Sequence, residues 1–344
     1  MKFPAVSRAL FGPFSSFLSL LFAAGLLTGL VSCGLGGKRG ITPVRTPYNK
    51  GVYHYSGGRW DAAMEEFQLA LEDNPTDHRA RFNLALALEA RARQLETANE
   101  VAAGERLRKQ AAGEYRRLTE ELPGELRAWV NLAATEYAQG RDAEGEAILR
   151  AALEQEPDSV LVRVALASHR LRLATPPDVA EADRKRALDE ALVFLEGAVA
   201  AEPSHLAANM LLGDVYQERG EAKQAREAYE RALERRPADI ATLLALARLE
   251  GRKGYPADAA VWAQRVLLID PDHLEAHLLL SRALEIQGDL EGATIHLWRA
   301  RRLDDPRAPR RPTQEYRKHL LELYGALAET EGGRALPATH REEK

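Results

Sequence analysis

Apolar residues recur along most of the chain at the spacing of amphipathic helices. From Leu206 to Asp239 the sequence LAANMLLGDVYQERGEAKQAREAYERALERRPAD predicts two short helices, because its apolar positions fall three or four residues apart. Gly220 lies between the two apolar stripes, where a tight turn favours a residue without a Cβ. Pro237 then ends the pair, so the stretch predicts one helical hairpin of about 34 residues.

The same pattern repeats along the chain. Copies of regular length occupy 126–159, 206–239, 240–273 and 274–307, a weaker first copy occupies 44–77, and longer copies occupy 78–125 and 160–205. The longer copies exceed the period by roughly a dozen residues, which about two extra turns on each helix would absorb.

Two local predictions follow for the longer copies. In the first of them we expect a projecting helical hairpin over Glu89–Lys109 that turns near Ala103 and Gly104. In the second, the prolines of Ala174–Asp178 interrupt the helices in the region 172–186, and Asp178 is a suitable N-cap for the helix that follows.

The residues at the pattern positions resemble those of the tetratricopeptide repeat, namely Leu212, Gly213, Tyr216, Ala225, Tyr229, Ala232 and Pro237. The resemblance covers about 44–307. It implies an all-α fold, a right-handed α-α superhelix of about seven stacked hairpins over 48–307, with a role in binding. We expect a capping helix within 308–330 and a disordered tail over 331–344.

The first 32 residues have the features of a secretion signal. Lys2 and Arg8 provide a basic start, and Phe11–Leu30 is apolar and uncharged. The residues leading to Cys33 resemble the bacterial lipobox. That resemblance implies cleavage before Cys33, attachment of diacylglyceryl and an N-acyl chain to it, and a flexible tether over 33–47.

The location that the lipobox implies is the periplasmic face of the outer membrane. Gly34 follows the cysteine, whereas Asp at that position resembles a signal for retention in the inner membrane. The extracytoplasmic face of the inner membrane is the alternative location. An uncleaved transmembrane helix is an alternative to the lipid anchor, since an apolar run of this length can cross a bilayer.

Composition and charge narrow the function further. The formal net charge is −4 with both signs interspersed, which gives no basic footprint for nucleic acid. The single cysteine excludes an internal disulfide and a cysteine-based metal cluster. The sequence has no glycine-rich phosphate loop, no GxSxG and no HExxH, so we predict no enzymatic activity and no cofactor.

His273 and His277 lie one helical turn apart and could hold a metal. The alternative is that one starts a helix and the other packs, and we predict no metal site on these residues.

The family resemblance places selected positions of each first helix in a concave groove. In the N-terminal half these positions are apolar and aromatic, and in the C-terminal half they carry mixed charge: Tyr48, Tyr55, Phe82 and Tyr137, then Arg248 and Arg282. The sixth position holds Asn49, Asn83 and Asn131 in the first three copies. Such a ladder resembles one that holds an extended peptide, because an amide can both donate and accept. The alternative is that asparagine is simply common there.

The predicted function is a non-enzymatic, lipid-anchored scaffold. It would bind a segment of one or more envelope proteins in its groove and assist assembly of an envelope complex. In plan it is similar to tetratricopeptide pilotins of type IV pilus secretins. The alternative is a structural spacer at the membrane surface that self-associates through the longer hairpins, and a glycan-processing hydrolase is a third hypothesis with no residue constellation to support it.

Overall fold

The computed structural model describes residues 46–304, which form fourteen α-helices and no strand. The all-α prediction is therefore confirmed. The signal segment, Cys33, the tether as far as residue 45, the predicted capping helix and the predicted tail lie outside the described residues.

The chain divides into two compact units, one ending at Arg219 and the other beginning at Gly220. The helices of unit one are α1 Pro47–Ser56, α2 Trp60–Asp73, α3 His78–Thr97, α4 Val101–Glu121, α5 Leu126–Ala138, α6 Asp142–Gln155, α7 Val160–Ala174, α8 Glu181–Ala201 and α9 Leu206–Glu218. Those of unit two are α10 Ala222–Arg235, α11 Ile240–Arg252, α12 Pro256–Ile269, α13 Leu274–Ile286 and α14 Leu290–Asp304. Odd-numbered helices begin a repeat and are called first helices; even-numbered helices are called second helices.

The turns from first to second helices use a left-handed residue at nearly every repeat. The residues with positive φ, between 66° and 84°, are Gly58, Asn99, Gly140, Gly220, Gly254 and Gly288. The turn predicted near Ala103 and Gly104 is wrong, because α3 ends at Thr97 and Asn99 provides the left-handed residue. Asparagine adopts this conformation more readily than most residues that carry a Cβ.

Gly104 has a different role from the one predicted. It lies buried inside α4, where an added Cβ would come 2.7 Å from Glu96 Cγ and 2.9 Å from the Ala92 carbonyl oxygen. The missing side chain therefore lets α3 and α4 approach closely. These helices and α8 have 20, 21 and 21 residues, so the extra residues of the longer copies lengthen helices.

The α7–α8 connection corrects a second prediction. The predicted N-cap, Asp178, is wrong, because α8 starts at Glu181 and Ala180 is its N-cap residue. Val179 instead donates its backbone N–H to Pro176 at 3.3 Å, which closes a turn before the helix can begin. Arg184 then donates to the carbonyls of Ala174 and Pro176 at 3.1 and 3.0 Å and fixes the connection.

Most first helices start at a side-chain cap. The capping residues are Thr46, Asp77, Ser159, His205, Asp239 and His273, each accepting from a backbone N–H two or three residues ahead. Caps of this kind satisfy donors that would otherwise lack a partner at the helix start.

Each connection from a second helix to the next first helix contains a proline whose carbonyl accepts a side-chain hydrogen bond. We call these connections joints. In five of the six described joints the donor lies six residues after the proline, in the pairs Arg81–Pro75, Trp129–Pro123, Arg163–Pro157, Asn209–Pro203 and His277–Pro271. At the remaining joint Leu243 occupies that place, and Arg265 of α12 donates to Pro237 at 3.1 Å.

The core is built from small residues at helix contacts and a few large rings. Fully buried alanines of the repeat pattern include Ala63, Ala111, Ala152, Ala191, Ala225 and Ala232. Phe67, Tyr115 and Tyr229 are also fully buried, and close-packed cores lose stability when such rings are removed. Within residues 46–304 no helix combines the length and the apolar character that crossing a bilayer would need.

Candidate protein-interaction face

The first helices of unit one lie side by side and form one surface. Helix α1 contacts α3, α5 contacts α7, and α7 contacts α9. Helices α3 and α5 meet where Thr135 of α5 lies 2.5 Å from Glu89 of α3. We call the part of this surface formed by α1, α3 and α5 the first-helix face. It carries all the predicted groove residues of the N-terminal half of the chain.

Tyr48 and Phe82 lie half-buried on this face and pack against its core. The ring of Tyr48 lies 6.0 Å from that of Phe67, and the ring of Phe82 meets that of Tyr115 edge-on at 5.8 Å. Their inner sides therefore contribute to folding, and only the outer sides remain for contact with another molecule.

Arginines cover the outer sides of these two rings. The guanidinium of Arg79 lies 5.2 Å from the ring centre of Tyr48, and that of Arg127 lies 5.2 Å from the ring centre of Phe82. Arg127 also forms a bidentate pair with Glu125 at 2.7 and 2.9 Å, which raises the pKa of Arg127 and lowers that of Glu125. The strip predicted as apolar is thus a set of aromatic rings that lie beneath arginines paired with acids.

The three asparagines of the predicted ladder differ in their surroundings. Asn49 is exposed at the start of α1. Asn83 donates its amide to the Tyr48 hydroxyl at 3.1 Å. Asn131 is 4% exposed, and its buried amide nitrogen has no hydrogen-bond partner among the described residues. Of the three, only Asn131 therefore has a buried amide nitrogen without a hydrogen-bond partner among the described residues.

Tyr137 stacks on His169, with ring centres 3.8 Å apart and planes 7° from parallel. Burial and the nearby Arg172 lower the pKa of His169 to about 4, and burial raises the pKa of Tyr137 above its ordinary value. Arg172 can only donate, so at 3.1 Å the His169 Nδ1 accepts its hydrogen bond. Gly145 makes room for the stack, since a Cβ there would lie 2.4 Å from the Tyr137 ring.

We expect acid to weaken the fold through His169. Its ordinary pKa is about 6.5 and its folded pKa is about 4, so between these values only the unfolded state is protonated. Stability should therefore fall as the pH drops below 6.5, by about 2 kcal/mol from this group at pH 5. Urea unfolding at pH 7.5 and 5.0 measures the loss. His169→Gln should lose less than the parent over that interval, and an equal loss would contradict the assignment.

Glu89 is the residue of this face that the sequence analysis missed. It stands at the twelfth position of its repeat, as Tyr55 and Tyr137 do in theirs. Its carboxylate accepts from the Tyr115 hydroxyl at 3.3 Å and lies 2.5 Å from the Thr135 hydroxyl, which also lies 2.7 Å from the Asn131 carbonyl oxygen. Burial raises the pKa of Glu89. Burial is also the main cause of the raised pKa of Tyr55, to which the nearby charge of Glu89 contributes. The shared position with two predicted aromatic residues was the signal that could have found it.

The remaining predicted groove residues, Arg248 and Arg282, belong to unit two. Arg248 of α11 pairs with Glu275 of α13 at 2.6 Å, and Arg282 pairs with Glu285 of its own helix at 3.3 Å. The mixed charges predicted for this part of the chain are thus paired with each other.

The two histidines considered for a metal have structural partners. His273 Nδ1 accepts from the backbone N–H of Ala276 at 3.3 Å, and His277 Nε2 donates to Pro271 at 3.0 Å. His277 also lies 2.9 Å from His296, Nδ1 to Nδ1. One histidine therefore starts a helix and the other packs, which is the structural alternative considered for the pair. Among the described residues no three His, Cys, Asp or Glu side chains converge on a metal site.

Paired helices with glycine turns, buried alanines and proline joints define a repeat protein of helical hairpins. Three tetratricopeptide-repeat models match the sequence at residues 48–109, 126–169 and 184–249, which together make up half of the chain. The chain belongs to the tetratricopeptide repeat family. This fold is suited to protein–protein interaction. No curated protein matches the chain.

Solved structures share the fold at low sequence identity. A tetratricopeptide repeat protein from Parabacteroides merdae aligns with TM-score 0.50 and 13% identity, over 81% of this chain and 97% of that one. Yeast Tom70 aligns with TM-score 0.51 and 14% identity, over 92% of this chain and 72% of that one. PilW, a widely conserved type IV pilus biogenesis factor, aligns with TM-score 0.48 and 16% identity, over 69% of this chain and 98% of that one.

Proposed function

We propose that this protein is a non-enzymatic scaffold that binds an extended segment of a partner protein on the first-helix face. The observation that carries the proposal is the buried amide nitrogen of Asn131, which has no acceptor among the described residues. A buried donor without a partner costs about 1–3 kcal/mol, so its presence is explained if a ligand supplies the acceptor. A backbone carbonyl of a bound segment is an acceptor of the required kind.

The surroundings of Asn131 suit a chain of mixed character. The arginines over Tyr48 and Phe82 are each held by an acid, and they retain guanidinium donors that can reach a peptide. An extended segment exposes both side chains and backbone groups, so it can use the arginines and the amide together.

Replacing Asn131 with leucine tests the proposal directly. Leucine has nearly the shape of asparagine and removes the free donor, so the free energy of unfolding should stay equal or rise by about 1 kcal/mol. Recovery of the partner should fall at least about tenfold, since one good hydrogen bond in a buried site is worth that much. The partner is first identified by crosslinking in cells, and its recovery is then compared between parent and variant.

The matched control for that comparison lies on a second helix. Leu69 of α2 is 46% exposed, so Leu69→Ser changes the surface away from the first-helix face. Partner recovery should be retained in this control. Full recovery with Asn131→Leu, or equal loss in both variants, would count against binding at the first-helix face.

The proposal includes a lipid anchor at Cys33 and assistance to an envelope complex from the periplasmic face of the outer membrane. This part of the proposal rests on the lipobox residues and on the position of Cys33 directly after an apolar segment. Cell fractionation of the parent and of Cys33→Ser tests it. The parent should move with the outer membrane and take up labelled fatty acid, and the variant should do neither.

A second candidate function is a self-associating spacer. One observation favours it: Val193 on the lengthened helix α8 is 68% exposed. Light scattering of the acyl-free protein over a range of concentrations separates the two candidates. A mass that stays monomeric at every concentration would exclude the spacer.

A further inference from the structure

We propose that Glu89 forms a subsite on the first-helix face for a lysine or arginine side chain of the bound segment. This inference rests on the proposed function and adds the chemistry of the partner. Glu89 is half-buried on α3.

The carboxylate of Glu89 is held in position from two other helices. Tyr115 of α4 donates to Oε2 at 3.3 Å, and Thr135 of α5 shares its one hydroxyl hydrogen between Oε1 at 2.5 Å and the Asn131 carbonyl oxygen at 2.7 Å. Both donors are neutral hydroxyls, and a carboxylate has more acceptor positions than these two bonds occupy. The group is therefore oriented and retains the capacity to accept a further hydrogen bond.

Glu89 differs from its charged neighbours because it has no ion-pair partner within residues 46–304. The arginines over Tyr48, Phe82 and Tyr137 are each paired with an acid, in the pairs Arg79–Asp77, Arg127–Glu125 and Arg172–Asp142. Arg93, one turn further along α3, and Arg108 of α4 favour the ionised form of Glu89 electrostatically, but neither contacts it as an ion pair. These arginines thus offset the negative charge of Glu89 only at longer range, and no cation among the described residues contacts its carboxylate.

The neighbouring ring of Tyr55 completes the subsite. Tyr55 is half-buried at the corresponding position of α1, and its edge meets Trp60 at 5.0 Å. Aromatic rings attract cations, and the attraction strengthens when water is excluded. A basic side chain that reaches Glu89 would therefore gain both a carboxylate and an aromatic neighbour.

The free protein bears a cost that such a ligand would relieve. Burial raises the pKa of Glu89, because a partly buried carboxylate loses hydration. A group that weakens the fold and faces a binding surface is a candidate for function. A purely structural role would predict the opposite, namely that removing the charge weakens the fold.

The test uses two pools of short random peptides labelled with a fluorophore, one with lysine and one with norleucine at the central position. The parent protein should bind the lysine pool about tenfold more tightly, as expected for a charge-assisted hydrogen bond. Glu89→Gln should bind both pools equally and should keep the parent's affinity for the norleucine pool. Its amide oxygen still accepts from Thr135, so its unfolding midpoint in urea should equal or exceed that of the parent.

Glu120→Gln is the matched control. Glu120 is an exposed carboxylate of α4 without an ion-pair partner among the described residues, so the variant removes the same charge from another place. It should keep the full preference for lysine. Equal loss in Glu120→Gln would mean that net charge, and not the subsite, sets the preference, and the inference would be overturned.

The outcomes separate this inference from the proposed function. If neither pool binds, the proposed function fails and the subsite fails with it. If both pools bind, and Asn131→Leu abolishes binding while the parent shows no preference for lysine, the subsite alone is overturned. A preference that persists in Glu89→Gln overturns it as well.

Discussion

Tyr115→Ala should lower the free energy of unfolding by about 3–5 kcal/mol. The ring is fully buried where α3, α4 and α5 meet, and its removal leaves a cavity that the alanine-rich surroundings cannot fill. The substitution also removes the edge contact with Phe82 and the hydroxyl that holds Glu89. Urea unfolding followed by circular dichroism measures the loss, and hydrogen exchange should show it first in α3 to α5.

Tyr115→Phe is the control for that experiment. It keeps the ring and removes only the hydroxyl bond to Glu89, so we expect a loss of about 1 kcal/mol or less. Nearly equal losses for alanine and phenylalanine would contradict the view that the ring itself fills this part of the core.

Arg81→Ala should cost about 3 kcal/mol, because it removes a buried cation and leaves Glu114 with only the more exposed Arg117, 3.6 Å away. The Arg81 side chain is 9% exposed, contacts Glu114 at 3.0 Å and donates to the Pro75 carbonyl at 2.6 Å. Arg81 also lies 3.5 Å from the carboxylate of Glu121. Urea unfolding at neutral pH measures the effect.

Arg163→Ala provides the comparison at an equivalent joint. Arg163 is 20% exposed and donates to the carbonyls of Gly197 and Pro157 at 2.7 and 2.8 Å, while its acidic neighbour Asp158 is 94% exposed. Because no buried carboxylate depends on it, we expect a smaller cost of about 1–2 kcal/mol. If Arg163→Ala proved as damaging as Arg81→Ala, the burial of the ion pair would not be the deciding factor.

The hairpins could be predicted from the sequence because their signals are local. These signals are the apolar spacing, the glycines at turns and the prolines at joints, each of which acts within a few residues. They predicted the positions of most helices. Gly104 and Asn99 could not be assigned in the same way. Glycine serves either a left-handed turn or a close helix contact, and only the packing of α3 on α4 decides which one applies. Asp178 is likewise not the N-cap of α8, because it lies in the turn between Pro176 and Val179 that precedes the helix.

The candidate site was predicted less fully than the fold. The family positions identified Tyr48, Tyr55, Phe82 and Tyr137, but they could not show that arginines from neighbouring helices cover Tyr48 and Phe82. Those contacts join residues about one repeat apart, and no local pattern encodes them. Glu89 was missed because it was assigned to a projecting hairpin, whereas its partners Tyr115 and Thr135 lie 26 and 46 residues away on other helices.

The hydrogen bonds at the joints affect how such a chain can be rearranged by duplication or grafting. The acceptor lies at the end of one hairpin and, in most joints, the donor lies in the next, so a cut at the usual repeat boundary separates them. A transplanted hairpin would then bring an arginine, tryptophan or asparagine to an unrelated proline. Crossover points inside the second helices would keep each matched pair together, and chimaeras joined there should express and fold better than those joined at the prolines.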